Sequence, residues 1–236
     1  MKELNIFCFG FGQVAKNFIK KLIEKKIPFK FSGSSREKTK TKIFENIRYE
    51  SFNFSENEFD KNIKQKIVEA DHILVSIAPI NGKDIVIDTF EETFLKSKPK
   101  WITYLSATSV YGNHNGNWVD EQSDTNPTSD SGMVRLNAEQ KWITLSKKYN
   151  LPIQIFRLSG IYSNQFNVLK RLESGNAKIV NKKNHYFSRI HVEDIANVLI
   201  KSFGNLKKGE IFNISDDRPA SNEELILHGV KLLGIE

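Results

Sequence analysis

Cysteine is almost missing from this sequence of 236 residues: Cys8 is its single representative. One thiol excludes an internal disulfide framework and any metal site built on clustered cysteines. Histidine, aspartate and glutamate also nowhere fall at metal-ligand spacing, so no metal is expected. No apolar run approaches the roughly 20 residues needed to cross a bilayer. The start, Met1-Lys2-Glu3-Leu4-Asn5-Ile6, lacks the apolar length and small-residue cleavage site of a secretion signal. The expected location is the cytoplasm, without membrane association. Internal repeats and low-complexity linkers are absent too.

Charge is plentiful but scattered. Lysine and arginine exceed the acids by +7, yet the lysines fall in separated pairs such as Lys20-Lys21, Lys147-Lys148 and Lys207-Lys208 on helix faces and in loops. No motif that reads RNA or DNA accompanies them, so no nucleic acid partner is expected. The 39% hydrophobic and 27% charged residues are those of an ordinary globular chain, long enough for one domain with a small lobe.

What is present is an alternation of short apolar runs and amphipathic stretches. Residues 5–9 form an apolar run without alternation that ends at glycine, the pattern of a strand buried on both faces. Val14, Phe18, Ile19, Leu22 and Ile23 recur at helical spacing over Gln13–Lys26. Strands are predicted at 29–33, 47–52, 71–76, 101–106 and 153–158. Helices are predicted at 39–46, 57–70, 84–95 and 131–149, with a polar loop over 113–127. Strand, helix, strand with short connections demands a parallel sheet covered on both faces, an α/β, Rossmann-type doubly wound fold. Residues 1–160 read as the nucleotide-binding domain. Residues 161–236 read as a small lobe with segments returning to the sheet: helices at 166–173, 192–203 and 222–233, and short strands near 178–180 and 211–214.

Gly10-Phe11-Gly12-Gln13-Val14-Ala15 closes the first strand and opens the first helix. Gly10 permits the tight turn, Gly12 lets backbone approach a pyrophosphate, and Ala15 lets helix and strand pack closely. Amides at the helix start then face the phosphates. A nicotinamide dinucleotide is the expected cofactor. At the end of the second strand stand Ser34, Ser35 and Arg36, with no acid before Glu37. A guanidinium and hydroxyls suit a 2′-phosphate better than free ribose hydroxyls, which favours NADP over NAD. Ser76, Ile77, Ala78 and Pro79, and Ser106 further on, follow or end strands at the same edge and complete the candidate cofactor set.

Several segments together resemble the extended, atypical short-chain dehydrogenases/reductases, the NAD-dependent epimerase/dehydratase family, in its YeeZ-like branch. They are Tyr104-Leu105-Ser106-Ala107-Thr108-Ser109-Val110-Tyr111-Gly112, Asp120-Glu121 with Asn126-Pro127, Arg157-Leu158-Ser159-Gly160-Ile161-Tyr162, Ile190-His191-Val192-Glu193-Asp194, and Phe212-Asn213-Ile214. The resemblance implies an oxidoreductase or epimerase working on a sugar nucleotide or small carbonyl compound. It also implies a homodimer paired through helices 84–95 and 131–149, and a largely structural 190–194 segment.

The family's catalytic serine or threonine, tyrosine and lysine, the last two spaced Tyr-x-x-x-Lys, fall on Ala107, Ser131 and Arg135. An aliphatic hydroxyl without a base beside it does not replace a phenol, and losing a general acid/base costs on the order of 10²–10⁴ in rate. Thr108, Tyr111, Ser131 and Arg135 are the candidates for a rearranged set. Arg135 is also a candidate to hold the cofactor ribose, and Ser131 to cap its helix. His114 lies in the polar loop, where the sequence assigns it no role. Two functions follow: an enzyme with a non-standard acid/base set, or a dinucleotide-binding protein that senses or docks without catalysis.

Overall fold

The computed structural model describes residues 2–180 and 182–235. The first strand, β1 (Leu4–Phe9), is followed by α1 (Gln13–Glu24) and β2 (Phe29–Ser35). Then come β3 (Lys40–Phe44), β4 (Ile47–Asn53), α2 (Asn62–Glu69), β5 (His72–Val75), α3 (Ile85–Lys96) and β6 (Trp101–Ala107). The remaining elements are α4 (Asp130–Tyr149), β7 (Ile153–Leu158), β8 (Gly160–Tyr162), α5 (Val168–Glu173), β9 (Arg189–His191), α6 (Val192–Lys201), β10 (Ile211–Ile214) and α7 (Asn222–Leu233).

Eight strands form one sheet in the order β10-β7-β6-β5-β1-β2-β4-β3, parallel except for β3. This is the Rossmann-type architecture. β1 has no alternation because it serves two cores. Phe7 and Phe9 enter the layer beneath α2, α3 and α4, while Ile6 and Cys8 enter the layer beneath α1 and α6. The chain runs from β1 to β2 on one side and returns to β5 on the other, so the β1–β5 boundary is the switch point. In such sheets a ligand crevice opens at the carboxyl ends of these strands.

Two expectations are corrected. The helix at 39–46 is instead β3 and the turn of an antiparallel hairpin with β4. Glu45 and Asn46, at φ 49° and 64°, make a two-residue turn whose twist matches the flanking strands. Phe44 turns inward onto Phe11, ring centroids 5.2 Å apart, while Ile43 faces out. With Phe31 and Tyr49, these rings fill the sheet face that a crossover helix would otherwise cover. The strand near 178–180 does not form. There the amide of Val180 donates to the Asn222 side chain at 2.7 Å, and the pairing in this lobe is between β8 and β9. Of the segment after residue 160, β10 joins the main sheet beside β7 and α6 lies against α1. β8 and β9 form a separate two-stranded sheet and α5 packs on α7, and residues of these elements share one cleft with Thr108 and Ser109, which follow β6. No described helix is long and apolar enough to cross a membrane.

Candidate functional site

The first turn of the site is held by two serines. Gly10 sits at φ +82°, and its amide donates to the Ser34 hydroxyl at 3.1 Å. The Ser76 hydroxyl shares its hydrogen between the carbonyls of Phe9 and Gly10, at 3.0 and 3.1 Å. A Cβ on Gly10 would lie 3.0 Å from both Ile77 Cγ1 and Ser76 Oγ, so this turn is closed to side chains.

Gly12 is the opposite case. It is the N-cap of α1, has no side chain to bond the helix amides, and a Cβ there would meet nothing within 4 Å. The first turn, including Gln13 and Val14, carries no acidic residue. Open backbone, unpaired amides and the positive end of a helix therefore coincide, and that combination attracts an anion. Ser76, Ile77, Ala78 and Pro79 follow β5 directly beside this turn.

The loop after β2 is pinned from below. The Asn53 side chain donates to the carbonyls of Arg36 and Glu37 at 3.3 and 3.2 Å. Thr39 accepts the Asn53 amide at 3.0 Å and donates to Asp60 at 2.6 Å, a bond that pulls the Asp60 carboxyl below its ordinary range. Ser35 and Ser51 share a hydrogen bond of 3.0 Å. Glu37 is turned to Lys40 and Lys42 at 2.6 and 3.3 Å, and those ammonium groups lower its pKa. Among the described residues no carboxylate pairs with Arg36, which stays exposed.

The structure places Ala107 at the end of β6 and Thr108 in the short 3-10 turn 108–110 that follows. Tyr111 is buried and its phenol is fully committed: it accepts from Arg157 Nη1 at 2.9 Å and donates to Asn213 Oδ1 at 2.8 Å. Ser131 does not cap α4. That role falls to Ser129, whose hydroxyl accepts the Gly132 amide at 3.2 Å, while Ser131 shares a hydroxyl contact of 3.2 Å with Ser129. Arg135, one turn on, reaches back to the Leu105 carbonyl at 3.4 Å, close to the end of β6. The Ser106 and Tyr104 hydroxyls are buried with no hydrogen-bond partner among the described residues. Burial raises the Tyr104 pKa, keeping that phenol protonated.

A cleft of about 1870 Å³ separates these turns from the lobe. Lys170, Arg171, Lys182 and Arg189 on its wall outnumber Asp216 and Glu224, and Trp118, 79% exposed, stands at its edge. The sequence did not single these residues out, since they come from several short segments that only the fold brings together. Among the described residues no group of acids, histidines and cysteine is arranged to hold a metal.

The sequence profile of the NAD dependent epimerase/dehydratase family matches residues 81–215. Among solved structures, a conserved protein of unknown function from Silicibacter pomeroyi is 30% identical, with a TM-score of 0.82 over 99% of this chain and 79% of that one. UDP-glucuronic acid 4-epimerase from Bacillus cereus, solved in complex with NAD, is 16% identical at a TM-score of 0.80, over 99% and 84% of the two chains. UDP-glucose 4-epimerase from Thermotoga maritima, solved with UDP-glucose, is 16% identical at 0.78, over 99% and 84%. No curated protein matches the chain in sequence. The glycine turn lies outside the family match but within the structural ones. The chain belongs to the NAD dependent epimerase/dehydratase family.

Proposed function

We propose that this protein binds a nicotinamide dinucleotide at the β1–α1 turn and acts on a phosphorylated, sugar-nucleotide-like substrate with an acid/base set different from the family's. The observation that carries the reading is Gly12: an uncapped helix N-terminus whose approach is open for 4 Å where a Cβ would stand. The residues fit the cofactor. Gly10, Phe11, Gly12, Gln13 and Val14 offer backbone to the pyrophosphate, and Ser76 to Pro79 border it. Arg135 sits where it can hold a ribose or a substrate phosphate. When bound, such a group supplies a hydride acceptor or donor. The chain's own part is to seat it, orient the substrate and move a proton.

NADP is the proposed form, because Arg36 is free of carboxylates among the described residues and Glu37 is engaged by Lys40 and Lys42. The basic cleft wall favours a substrate bearing phosphate. Kinship with the YeeZ-like branch and a cytoplasmic location belong to the same reading. A homodimer through α3 and α4 would bury few apolar groups, Met133, Tyr149 and Leu95 being the large ones exposed there, and would enclose the Asp88–Lys141 ion pair. We expect it to be weak.

Calorimetric titration with NADPH and NADH tests the first half, and UDP-glucose binding to the loaded protein tests the second. Absence of binding by either dinucleotide would refute the proposal. A second reading, binding without catalysis, draws on one observation: the Tyr111 phenol is occupied at both its donor and its acceptor. Tight cofactor binding with no turnover across sugar nucleotides and carbonyl compounds would favour it.

A further inference from the structure

His114 is held in one orientation by two oxygens that can only accept. Its Nε2 lies 3.1 Å from the Tyr111 carbonyl and 3.1 Å from the Asp124 carbonyl. A carbonyl oxygen carries no hydrogen, so the hydrogen sits on Nε2, and the neutral ring keeps its lone pair on Nδ1. Nδ1 has no partner among the described residues and is not among their buried unpartnered atoms, so it reaches solvent. The ring stands edge-on to Tyr111 with centroids 6.3 Å apart, on the wall of the large cleft that Thr108 and Ser109 also line.

The loop that carries it is closed. The Tyr111 carbonyl also accepts the Asn126 amide at 3.2 Å, and the Asn117 amide returns to the His114 carbonyl at 3.0 Å. Gly112, at φ +74°, packs so tightly that a Cβ would lie 1.8 Å from the Asn126 carbonyl oxygen. A ring with one nitrogen fixed by acceptors and the other left without a protein partner is the arrangement by which proteins orient a histidine base.

Three of the four catalytic candidates drawn from the sequence are otherwise engaged, and the fourth, Thr108, offers only an aliphatic hydroxyl. Tyr111 is bonded twice, Ser131 pairs with Ser129, and the Arg135 guanidinium does not release a proton.

We propose that His114 Nδ1 is the proton-transfer group of this site, accepting the hydrogen of a substrate hydroxyl seated in the cleft. The inference rests on the reading that the cleft holds substrate. In the oxidising direction the substrate O–H bond breaks and an Nδ1–H bond forms, leaving an imidazolium. The oxygen's electron pair becomes the second bond of a carbonyl as the carbon-bound hydrogen departs with its pair to an oxidised nicotinamide. Reduction runs the same exchange backwards.

Two-bond proton–nitrogen NMR on the ¹⁵N-labelled full chain tests it, with His114 identified by its loss in His114→Gln. The expected spectrum shows hydrogen on Nε2 and a lone-pair signal for Nδ1. Saturating UDP-glucose with NADP⁺ present should move that Nδ1 signal while quenching the fluorescence of Trp118, Trp118→Phe being the control. Hydrogen found on Nδ1 overturns the proposal. So does Trp118 quenching without any change at Nδ1, which would leave the cleft reading intact. No quenching and no shift would fell both. His114→Gln can still donate to both carbonyls but cannot take up a proton. It should therefore keep ligand affinity within about twofold and lose turnover by about 10²–10⁴-fold. An undiminished rate also overturns the assignment.

Discussion

The Arg157 guanidinium grips the Glu139 carboxylate through Nε at 3.1 and 3.2 Å and Nη2 at 2.7 Å, both side chains sealed from solvent. Nη1 goes on to the Tyr111 phenol, which donates to Asn213, whose own amide donates to Glu121 at 2.6 Å. One chain of polar groups, buried at its Glu139–Arg157–Tyr111 end and half-buried at Asn213 and Glu121, thus ties α4, β7, the turn after β6, β10 and the 113–127 loop. It fixes the carbonyl of Tyr111 on which the His114 ring rests.

Breaking this pair from one side leaves a charge without its counter-ion in a closed space. Glu139→Gln should therefore cost about 3–5 kcal/mol, read as a lowered midpoint in urea unfolding. Replacing both partners, Glu139→Leu with Arg157→Met, should cost less than Glu139→Gln alone, because no charge is stranded. Strict additivity of the two single losses would contradict the account.

The two glycines of the first turn should fail in different ways. Gly10→Ala forces a side chain into positive φ, at about 1–2 kcal/mol, and against Ser76 and Ile77 at 3.0 Å. It should lower stability measurably. Gly12→Val meets no protein atom at its Cβ and should unfold within a few degrees of the parent. Its NADPH affinity should nonetheless fall at least about a hundredfold, since the side chain occupies the space through which phosphates reach the helix amides. Tight binding by the Gly12→Val protein would remove the basis for placing the cofactor here.

Choice between cofactors should depend on Arg36. A charge-assisted bond to phosphate contributes about 1.5–3 kcal/mol. Arg36→Ser should accordingly weaken NADPH by about 10–100-fold and leave NADH nearly unchanged, a difference that paired calorimetric titrations resolve. Asn53→Ala, which frees the carbonyls of Arg36 and Glu37, should erode the same preference by a smaller factor. A parent that binds NADH more tightly than NADPH would overturn the assignment.

Strong periodicity made much of this fold legible. The predicted segments at 153–158, 211–214 and 222–233 coincide with β7, β10 and α7, because β-favouring apolar residues predominate in both strands and Ser221 with Glu224 caps the helix. The β3–β4 hairpin was hidden because Glu45-Asn46 lacks the glycine that usually marks such a turn, and its lysines mimic a solvated helix face. β8 and β9 have three residues each, too few to show a period. At the site, the glycine turn could be read because its parts are adjacent in sequence. The commitment of Tyr111 could not, since Arg157 and Asn213 meet it from separate elements. His114 was unreadable for the same reason: its orientation depends on the Asp124 carbonyl, ten residues away.

His72 should make stability sensitive to acid. Its ring is 5% exposed, 4.4 Å from Phe203 and 5.8 Å from Trp101 between centroids, with Nδ1 unpartnered among the described residues. Burial pushes its pKa down to about 4 from 6.5. The unfolded chain therefore takes up this proton at a higher pH than the folded one. The histidine's contribution is intact above about pH 6.5 and drains away as pH falls towards 4, by about 3 kcal/mol at most. Carboxylates such as Glu37 and Asp60, held below their ordinary range, add losses at the acid end of the same window. Comparison with His72→Phe separates the two. The phenyl ring keeps the packing against Trp101 and Phe203 but binds no proton. Urea midpoints from pH 7 to 4.5 should fall more steeply in the parent than in His72→Phe, with the variant the more stable of the two near pH 5. Parallel curves would mean that the His72 ring reaches water, and that the aromatic cluster around it is less closed than the structure shows.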